Sequence, residues 1–330
     1  MSKKCIVTGG AGFIGSHLTD YLISKGHYVT VLDNYSSGRP KNLKHILKNP
    51  NLKLIEADIS DYRVIKSHFK DVDWVFHLAA LADIVPSIQN PLKYHRSNVD
   101  GTINVLEASR KNNVKKFIYA ASTSCYGIPD KFPTPENSSI KPEYPYALTK
   151  YLGEQYALHW GKVYNLPVVS LRLSNAYGPR ARTSGTYGAV FGVFLAQKIN
   201  NKPFTVVGDG TQTRDFTFVS DIVDGFYNSV NSKISDEVFN IGSGNTYSIN
   251  RLVELLGGDV VYIPKRPGEP DCTFADISKA KKLLNYKPKT TFEKGVKIML
   301  DNIDYWKDAP VWTESKIKKA TEDWFLYLTK

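Results

Sequence analysis

The 330-residue sequence contains little sulfur and no long apolar stretch. It has two methionines and three cysteines, Cys5, Cys125 and Cys272. An odd number of widely separated cysteines, without metal-ligand spacing, argues against a disulfide framework and a metal site and predicts a reducing, cytoplasmic environment. No apolar run reaches the roughly 18 residues that a membrane helix needs, so no membrane partner is expected. The chain enters a strand-like segment so soon after MSKK that no signal peptide is expected.

Blocks of like charge are also missing. Lysine and arginine outnumber aspartate and glutamate by 43 to 32, which gives a formal net charge of +11. Such a charge raises nucleic acid and anionic membranes as alternatives. The charges are scattered along the chain, however, and this pattern favours a lysine-rich solvated surface. A modest positive potential would also attract a phosphorylated substrate.

Apolar runs in the first 175 residues predict a parallel sheet. Near-continuous apolar character is typical of strands that are buried on both faces. Helical segments such as SHLTDYLISKG and NVDGTINVLEASRKN separate these runs. The alternation predicts an α/β fold with a doubly wound, Rossmann-like parallel sheet. The strand candidates are KKCIVTGG, HYVTVLDN, LKLIEADI, DWVFHLAA, KKFIYAAS and LPVVSLRLSNA.

The pattern changes after residue 175. Residues 176–188 are rich in Gly, Arg, Thr and Tyr and predict a polar, mobile loop. A helix at about 189–200, a strand at FTVVG and a helical C-terminus are expected to follow. We therefore predict a nucleotide-binding domain over 1–175, joined by part of 215–243, and a smaller α/β substrate-binding domain over 176–330.

The segment TGGAGFIG follows the first predicted strand and opens the first predicted helix. Its glycines Gly9, Gly12 and Gly15 are three residues apart. Glycines here allow a tight turn and let backbone N–H groups approach a pyrophosphate at a helix N-terminus. The spacing is GxxGxxG rather than the more usual GxGxxG, so the triplet alone is weak evidence and a purely structural turn remains an alternative.

Carboxylates end the second and third predicted strands. Asp33 follows Gly15 by 18 residues, where a carboxylate accepts hydrogen bonds from an adenosine ribose and repels a 2′-phosphate. Asn34 follows without an adjacent arginine, so NAD is favoured over NADP. Asp58 either reaches the adenine amino group or caps the end of its strand, and the sequence leaves both readings open.

The segment YPYALTK places Tyr146 and Lys150 four residues apart, on one face of a predicted helix. An ammonium beside a phenol favours the phenolate, so we expect the pKa of Tyr146 to fall from about 10 toward neutrality. Tyr146 could then act as a general acid or base. A tyrosine and a lysine at this spacing are common by chance, so the pair needs support from other motifs.

Six features occur together in one order: TGGAGFIG, Asp33, the HLAA of residues 77–80, Asn98, the hydroxyl cluster of residues 122–124, and YALTK. In this the chain resembles the extended short-chain dehydrogenase/reductases, and within them the nucleotide-sugar epimerases and dehydratases. The resemblance covers nearly the whole chain. It implies a Rossmann-like domain, bound NAD, a nucleotide-diphosphate sugar as substrate, and a homodimer.

The same resemblance assigns roles to individual residues. Tyr146 would exchange the proton of a sugar hydroxyl, Lys150 would bind the nicotinamide ribose and tune that tyrosine, and Ser122 would hydrogen-bond the same sugar oxygen. The implied cofactor contacts are Gly9, Gly12, Phe13, Ile14, Gly15, Asp33, Asn34, Asp58, Ile59, Leu78, Ala79, Ala80, Asn98, Tyr146 and Lys150. The implied substrate contacts are Asp83, Thr123, Ser124, Asn175, Arg214, Arg266, Glu269 and Thr273.

The implied substrate contacts have different roles. Asn175, Arg214 and Arg266 match diphosphate contacts, a task suited to arginine because its planar fork donates bidentately to phosphate oxygens. Glu269 falls where the family has an acid on the nucleoside ribose. Thr273 matches a position at the sugar pocket wall, where a small residue leaves room for an acetamido group, although it could equally be a plain loop residue. Asp83 would repel a uronic acid.

The hydroxyls of Thr123 and Ser124 separate the reaction classes of the family. The 4,6-dehydratases resembling this chain carry an Asp-Glu pair there, and decarboxylases of the uronic-acid sugar carry a Glu at the second position. A hydroxyl is not a strong acid or base near pH 7, so elimination of water is disfavoured. The resemblance then implies reversible oxidation at the sugar C4 and return of the hydride, that is, epimerisation.

The sequence therefore predicts an NAD-dependent nucleotide-sugar 4-epimerase, an isomerase, that interconverts UDP-GlcNAc and UDP-GalNAc and leaves UDP-glucose and UDP-galactose open as further substrates. The alternatives are a UDP-glucuronate 4-epimerase, a CDP- or GDP-sugar epimerase, a nucleotide-sugar reductase, or a catalytically silent RNA-binding member. We expect no nucleic-acid, membrane or metal partner. The C-terminal aromatics Trp324, Phe325 and Leu328 follow helix-like spacing and are expected to pack on their own domain or on a partner subunit.

Overall fold

A central parallel sheet, with the carboxyl ends of its strands at one edge, forms the middle of the protein. The computed structural model describes residues 2–181 and 189–329. The central sheet has the order β11-β6-β5-β4-β1-β2-β3. Its strands are β1 (Lys4–Thr8), β2 (Tyr28–Asp33), β3 (Leu52–Glu56), β4 (Trp74–His77), β5 (Lys116–Ser122), β6 (Val168–Leu173) and β11 (Glu237–Ile241). All of their pairings are parallel.

Three two-stranded sheets lie among the described residues of the second half of the chain. They pair β7 with β10, β9 with β12, and β8 with β13. The bounds are β7 (Asn175–Tyr177), β8 (Phe204–Val207), β9 (Thr213–Arg214), β10 (Phe216–Phe218), β12 (Tyr247–Ser248) and β13 (Val260–Ile263). These sheets bring the predicted substrate segments around Asn175 and Arg214 together.

Helices cover both faces of the central sheet and build the second half. They are α1 (Phe13–Ser24), α2 (Tyr62–Ile65), α3 (Ile84–Gln89), α4 (Pro91–His95), α5 (Gly101–Lys111), α6 (Pro145–Tyr164), α7 (Val190–Ile199), α8 (Val219–Asn231), α9 (Ile249–Leu256), α10 (Ser278–Leu284), α11 (Phe292–Asp301), α12 (Glu314–Ala320) and α13 (Glu322–Leu328). Short 3-10 helices span Pro40–Ile46, Lys66–Phe69, Thr123–Tyr126 and Ile303–Trp306, and one π turn spans Arg96–Asp100. No helix in these described ranges has the length and apolar character needed to cross a membrane.

Side chains on the central strands alternate between two cores. Phe117 and Tyr119 of β5 belong to the core beneath α5 and α6, whereas Ile118 and Ala120 belong to the opposite core beneath α1 and α8. This two-residue period is the geometry of a strand that is covered on both faces. Each fully buried large side chain of this kind contributes roughly 1.5–3 kcal/mol of hydrophobic free energy.

The predicted doubly wound fold is confirmed, and the sheet places the site. Chain connections run outward in both directions from the gap between β1 and β4, and ligands of open α/β sheets bind at such a switch point. The C-terminal ends of β1, β4 and β5 lead directly to Gly9, Leu78 and Ser122. Those three predicted site residues therefore share one edge of the sheet.

Two boundaries differ from the expectation. The predicted single strand LPVVSLRLSNA is broken after Leu173, and Asn175 begins β7, which pairs with β10 rather than with the central sheet. The break turns the backbone out of the central sheet toward the substrate segments. The helix predicted from Ser16 begins earlier, at Phe13. Of the predicted 176–188 loop, residues 182–188 lie outside the described part of the chain.

The division into two domains stays a prediction. Strand β11 lies in the central sheet beside β6, and α8 packs against the same sheet, so the segment around 219–241 accompanies the N-terminal half. A separate core under β8 and β10 contains stacked aromatics, including Tyr177, Phe216 and Phe292. This core carries the loops that hold the predicted diphosphate contacts.

Candidate active site

The turn between β1 and α1 forms a cradle that side chains would fill. Gly9 has φ +69°, and a Cβ there would lie 2.8 Å from the Ala79 Cα atom. A Cβ on Gly15 would collide with the Gly9 carbonyl oxygen. Gly12 caps α1 without a side-chain hydrogen bond. Backbone N–H groups at such a helix start can face a pyrophosphate, so the residues present fit the predicted dinucleotide.

Asp33 holds this turn in place. Its buried carboxylate accepts hydrogen bonds from the backbone N–H of Ala11 at 3.0 Å and of Tyr35 at 2.8 Å. Burial raises the pKa of Asp33, and the two backbone N–H groups oppose the rise. A carboxylate has about four acceptor positions, so it can still accept from a ribose. The predicted ribose contact stays a prediction.

Asn34 and Asp58 meet across the ends of β2 and β3. The Asn34 Nδ2 atom donates to Asp58 Oδ2 at 3.3 Å, and the Ser60 backbone N–H donates to Asp58 Oδ1 at 2.8 Å. Asp58 therefore caps the turn after β3, one of the two readings that the sequence left open. The adenine contact, and the predicted contact of the neighbouring Ile59, stay predictions.

Asn98 fixes the loop that follows β4. Its side-chain oxygen accepts from the Leu81 backbone N–H at 2.8 Å, and its Nδ2 donates to the Leu81 carbonyl at 2.9 Å and to Thr149 Oγ1 at 3.0 Å. Asn98 thus ties the loop of Leu78, Ala79 and Ala80 to α6. These contacts give it a positioning role, and its predicted direct contact with the cofactor stays a prediction.

His77 makes structural hydrogen bonds with both of its ring nitrogens. Its Nδ1 lies 2.6 Å from Thr8 Oγ1, and its Nε2 lies 2.9 Å from Thr102 Oγ1. Burial, with a smaller contribution from Lys150, lowers the pKa of His77 to about 3. The imidazole is therefore neutral and links β1, β4 and α5.

Helix α6 carries Tyr146 and Lys150 on one face. Pro145 occupies its first turn after the extended Tyr144, and Asn165 ends it in the left-handed conformation. Proline at the first helical position and asparagine just past the end are favoured helix boundaries. The helix thus begins directly before the predicted proton-transfer residue.

The expected fall in the pKa of Tyr146 is wrong for this structure. Burial raises the pKa of Tyr146, a hydrogen bond with Ser122 opposes the rise, and the Asp83 carboxylate adds to it. The Lys150 ammonium instead lies over the Tyr119 ring, 4.4 Å from its centroid. With its pKa raised, Tyr146 is a neutral phenol at pH 7.

Burial is also the largest influence on the pKa of Lys150. It lowers the pKa of Lys150 to about 7, and the carboxylate of Glu154, one helical turn away, opposes the shift. Glu154 is held by Arg172, with 3.0 Å from Nε to Oε2 and 2.6 Å from Nη2 to Oε1, and by Ser170 Oγ at 3.0 Å. A buried bidentate ion pair therefore lies directly below Lys150.

The hydroxyl groups of Ser122, Thr123 and Ser124 point in two different directions. Ser124 Oγ donates to Ser122 Oγ at 2.8 Å, and Ser122 opposes the raised pKa of Tyr146. Ser124 likewise opposes the raised pKa of Tyr144, so each serine acts on the pKa of one of the two tyrosines. Thr123 points the other way and donates to the Leu173 carbonyl at 3.2 Å. The predicted sugar contact of Thr123 stays a prediction.

Two arginines share one carboxylate on the opposite side of the site. Arg214 Nη2 lies 2.9 Å from Glu269 Oε1, and Arg266 Nε lies 3.3 Å from Glu269 Oε2. Two guanidinium groups against one carboxylate leave a positive charge that suits phosphate oxygens. Glu269 orients both arginines, and its predicted ribose contact stays a prediction. The adjacent cleft of about 400 Å³ is lined by Val207, Gly208, Asp209, Thr211, Gln212, Arg214, Lys265, Glu269, Pro270 and Asp271.

Asn175 and Thr273 are brought into contact. Thr273 Oγ1 donates to Asn175 Oδ1 at 2.8 Å and accepts from the Asp215 backbone N–H at 3.1 Å. A recess of about 20 Å³ between Thr123 and Thr273 has room for one water molecule. An acetamido group would therefore need the open side of Thr273, and its predicted accommodation stays a prediction.

Tyr144 was missed by the sequence reasoning. Its ring stacks on that of Tyr146, with centroids 6.3 Å apart and planes 8° apart. It also faces the Glu269 and Arg214 charges, and burial raises its pKa. The YPY triplet offered a signal, because it places a second aromatic residue directly before the helix that begins at Pro145.

Known proteins share this fold. The family described as GDP-mannose 4,6 dehydratase matches residues 6–299. The UDP-glucose 4-epimerase of Thermotoga maritima, solved with UDP-glucose, is 36% identical with a TM-score of 0.85 over 92% of this chain and 99% of its own. The UDP-N-acetylglucosamine 4-epimerase of Methanobrevibacter ruminantium M1, solved with UDP-N-acetylmuramic acid, is 36% identical with a TM-score of 0.85 over 91% and 99%. The UDP-glucuronic acid 4-epimerase of Bacillus cereus, solved with UDP-glucuronic acid and NAD, is 33% identical with a TM-score of 0.85 over 91% and 99%.

Fold and site together define an enzyme of the extended short-chain dehydrogenase/reductase class. Within that class the chain belongs to the GDP-mannose 4,6-dehydratase family, among the nucleotide-sugar 4-epimerases. The predicted family, enzyme class and dependence on NAD are confirmed.

Proposed function

We propose that the protein interconverts UDP-GlcNAc and UDP-GalNAc by inverting the sugar at C4, with UDP-glucose and UDP-galactose as a further substrate pair. One observation carries the proposal. Ser122 opposes the burial-raised pKa of the Tyr146 hydroxyl and accepts a hydrogen bond from Ser124. Neutral hydroxyls therefore stand where an elimination would need a carboxylate pair.

The chain's own residues would hold and move one proton. Tyr146 takes the proton of the sugar O4 hydroxyl as C4 becomes a ketone, and returns it as C4 is reduced. Ser122 donates a hydrogen bond to the same oxygen in both directions. When bound, NAD would supply the hydride acceptor for oxidation of C4 and the hydride donor for its reduction, and its oxidised nicotinamide would carry a positive charge.

The positive charge of the oxidised nicotinamide would affect the pKa of Tyr146. Burial raises the pKa of the phenol, and Lys150 is itself only partly charged at pH 7. A nearby cation favours the phenolate. Binding of the oxidised cofactor would therefore lower the pKa of Tyr146 and prepare it to act as the base.

Arg214 and Arg266 support binding of the substrate through a nucleoside diphosphate. Arg214 and Arg266 both pair with Glu269, and Arg214 lines a cleft whose volume suits a nucleoside. A sugar held through its nucleotide can turn over between the two hydride transfers. UDP is favoured because the solved relatives contain UDP-sugars.

Proton NMR tests this function without added cofactor. Purified protein is mixed separately with UDP-GlcNAc, UDP-glucose and UDP-glucuronate. A new galacto-configured anomeric signal from UDP-GlcNAc is expected. Tyr146→Phe should retain NAD and reduce turnover by at least about two orders of magnitude. Conversion of UDP-glucuronate alone would reassign the substrate, and no conversion of any sugar would contradict the proposal.

A homodimer is part of the proposal. The outer face of α6 exposes the apolar residues Leu148, Tyr156, Val163 and Tyr164. Such residues on one helix support an interface with a second copy. Light scattering should give twice the 37.1 kDa chain mass. A monomer at micromolar concentration would contradict it.

A further inference from the structure

The C-terminal helices α12 and α13 lie beyond the region that matches the family, which ends at residue 299. Solved relatives match over 99% of their own lengths but over only 91–92% of this chain. This chain therefore contains a segment without a counterpart in those relatives. Its last helix does not extend into solvent but packs against α3 and the loop that carries Arg266.

Trp324 anchors α13 to that loop. Its indole is 4% exposed, and its Nε1–H donates to the Pro267 carbonyl at 2.7 Å. The guanidinium carbon of Arg266 lies 5.2 Å from the centre of the same ring. A buried indole below a guanidinium favours one position of the cation. Trp324 thus fixes both the backbone and the charge of this loop.

The same indole reaches toward the proton-transfer residue. Its ring centroid lies 6.4 Å from that of Tyr144, which stacks on Tyr146. A second contact holds the helix on this side, because Gln89 Nε2 of α3 donates to Asp323 Oδ2 at 2.7 Å. Trp324 therefore connects the arginine side of the site with its tyrosine side.

We propose that Trp324 is a positioning residue of the nucleotide-sugar site, acting through Arg266 on the diphosphate and through Tyr144 on the sugar end. This inference rests on the proposed function, since it takes Arg266 as a diphosphate ligand. The loop of residues 265–269 is otherwise joined to the site by the Glu269 ion pairs, which are partly exposed. Preorganising Arg266 lowers the ordering cost of binding.

Calorimetric titration with UDP tests the role directly. Trp324→Ala removes both contacts and should weaken UDP binding about tenfold, equal to about 1.4 kcal/mol. Trp324→Phe keeps a ring below Arg266 but loses the indole N–H, so a smaller loss is expected. Leu326→Ala, on the same helix at a side chain that is 68% exposed, should bind UDP like the wild type.

A double-mutant cycle separates positioning from general stabilisation. In an Arg266→Ala background, Trp324→Ala should weaken UDP binding by much less than tenfold, because the guanidinium is gone and only the hydrogen bond to the Pro267 carbonyl is lost. Steady-state kinetics of the Trp324 variants should show a rise in KM that exceeds the fall in kcat. An equal loss of UDP affinity in both backgrounds would overturn the proposal, as would wild-type affinity in Trp324→Ala with only a lowered melting temperature.

The two proposals fail in different ways. If the wild type does not bind UDP but binds GDP or CDP, the choice of nucleotide is wrong, and the same cycle with that diphosphate still decides the role of Trp324. If the wild type binds no nucleoside diphosphate, both proposals fall.

Discussion

Replacing Lys150 by Met should stabilise the cofactor-free protein while abolishing turnover. The ammonium is buried at the Tyr119 ring, and burial lowers the pKa of Lys150 from 10.5 to about 7. Below pH 7 the lysine is charged in both states, so the folded protein carries the full cost of the buried ammonium. Methionine has a similar length and no charge.

The magnitude follows from the pKa difference. A gap of about 3.5 pH units at 1.36 kcal/mol per unit corresponds to about 5 kcal/mol. Between pH 7 and 10.5 the folded protein has lost the proton that the unfolded chain still binds, so wild-type stability rises with pH. The advantage of Lys150→Met should therefore fall from about 5 kcal/mol at pH 6 to about 2 kcal/mol at pH 9.

Urea unfolding at pH 6 and pH 9 measures this difference. Bound nucleotide must be removed first, because NAD that binds only the folded state adds its own stabilisation. Lys162→Met, on an exposed position of the same helix, is the matched control and should change stability little at either pH. A Lys150→Met protein that is less stable than wild type at pH 6, or whose gain is independent of pH, would refute the reasoning.

Three further variants test other parts of the site. Gly15→Ala brings a Cβ against the Gly9 carbonyl, so the purified protein should lose its NAD, measured by chromatography of the released nucleotide; full NAD content would show that the turn can yield. Glu154→Gln leaves a buried cation without its carboxylate and should cost about 3–5 kcal/mol in urea unfolding; an unchanged midpoint would contradict that account. Thr273→Tyr should reject UDP-GlcNAc but spare UDP-glucose, with Thr273→Ser as the control that keeps the hydroxyl; equal turnover of both sugars would show that the wall is elsewhere.

Local sequence signals predicted the nucleotide end well. A strand, a glycine turn and a helix start follow one another within residues 4–24, and each depends on neighbouring residues alone. The same holds for α6, whose Pro145 marks its first turn and whose spacing puts Tyr146 and Lys150 on one face. Such features can be predicted from the sequence because they depend on backbone geometry over a few neighbouring residues.

Electrostatics and long-range packing could not be predicted in the same way. Lys150 was expected to lower the pKa of Tyr146, but burial raises that pKa and the Lys150 ammonium lies over the Tyr119 ring instead. Burial depends on the whole fold rather than on spacing. Trp324 lies 180 positions after Tyr144 in the chain, and nothing in the local pattern of α13 indicated that the two rings meet.

The central claim is inversion at C4 by hydride transfer without elimination. The most direct test is the reaction of UDP-GlcNAc in D2O, without added NAD, followed by proton NMR of the product. The account predicts UDP-GalNAc whose C4 proton has full intensity, because the hydride removed from C4 is the one returned, and whose C5 proton is retained. Solvent deuterium at C4 or C5, or a 4-keto-6-deoxy sugar, would contradict it.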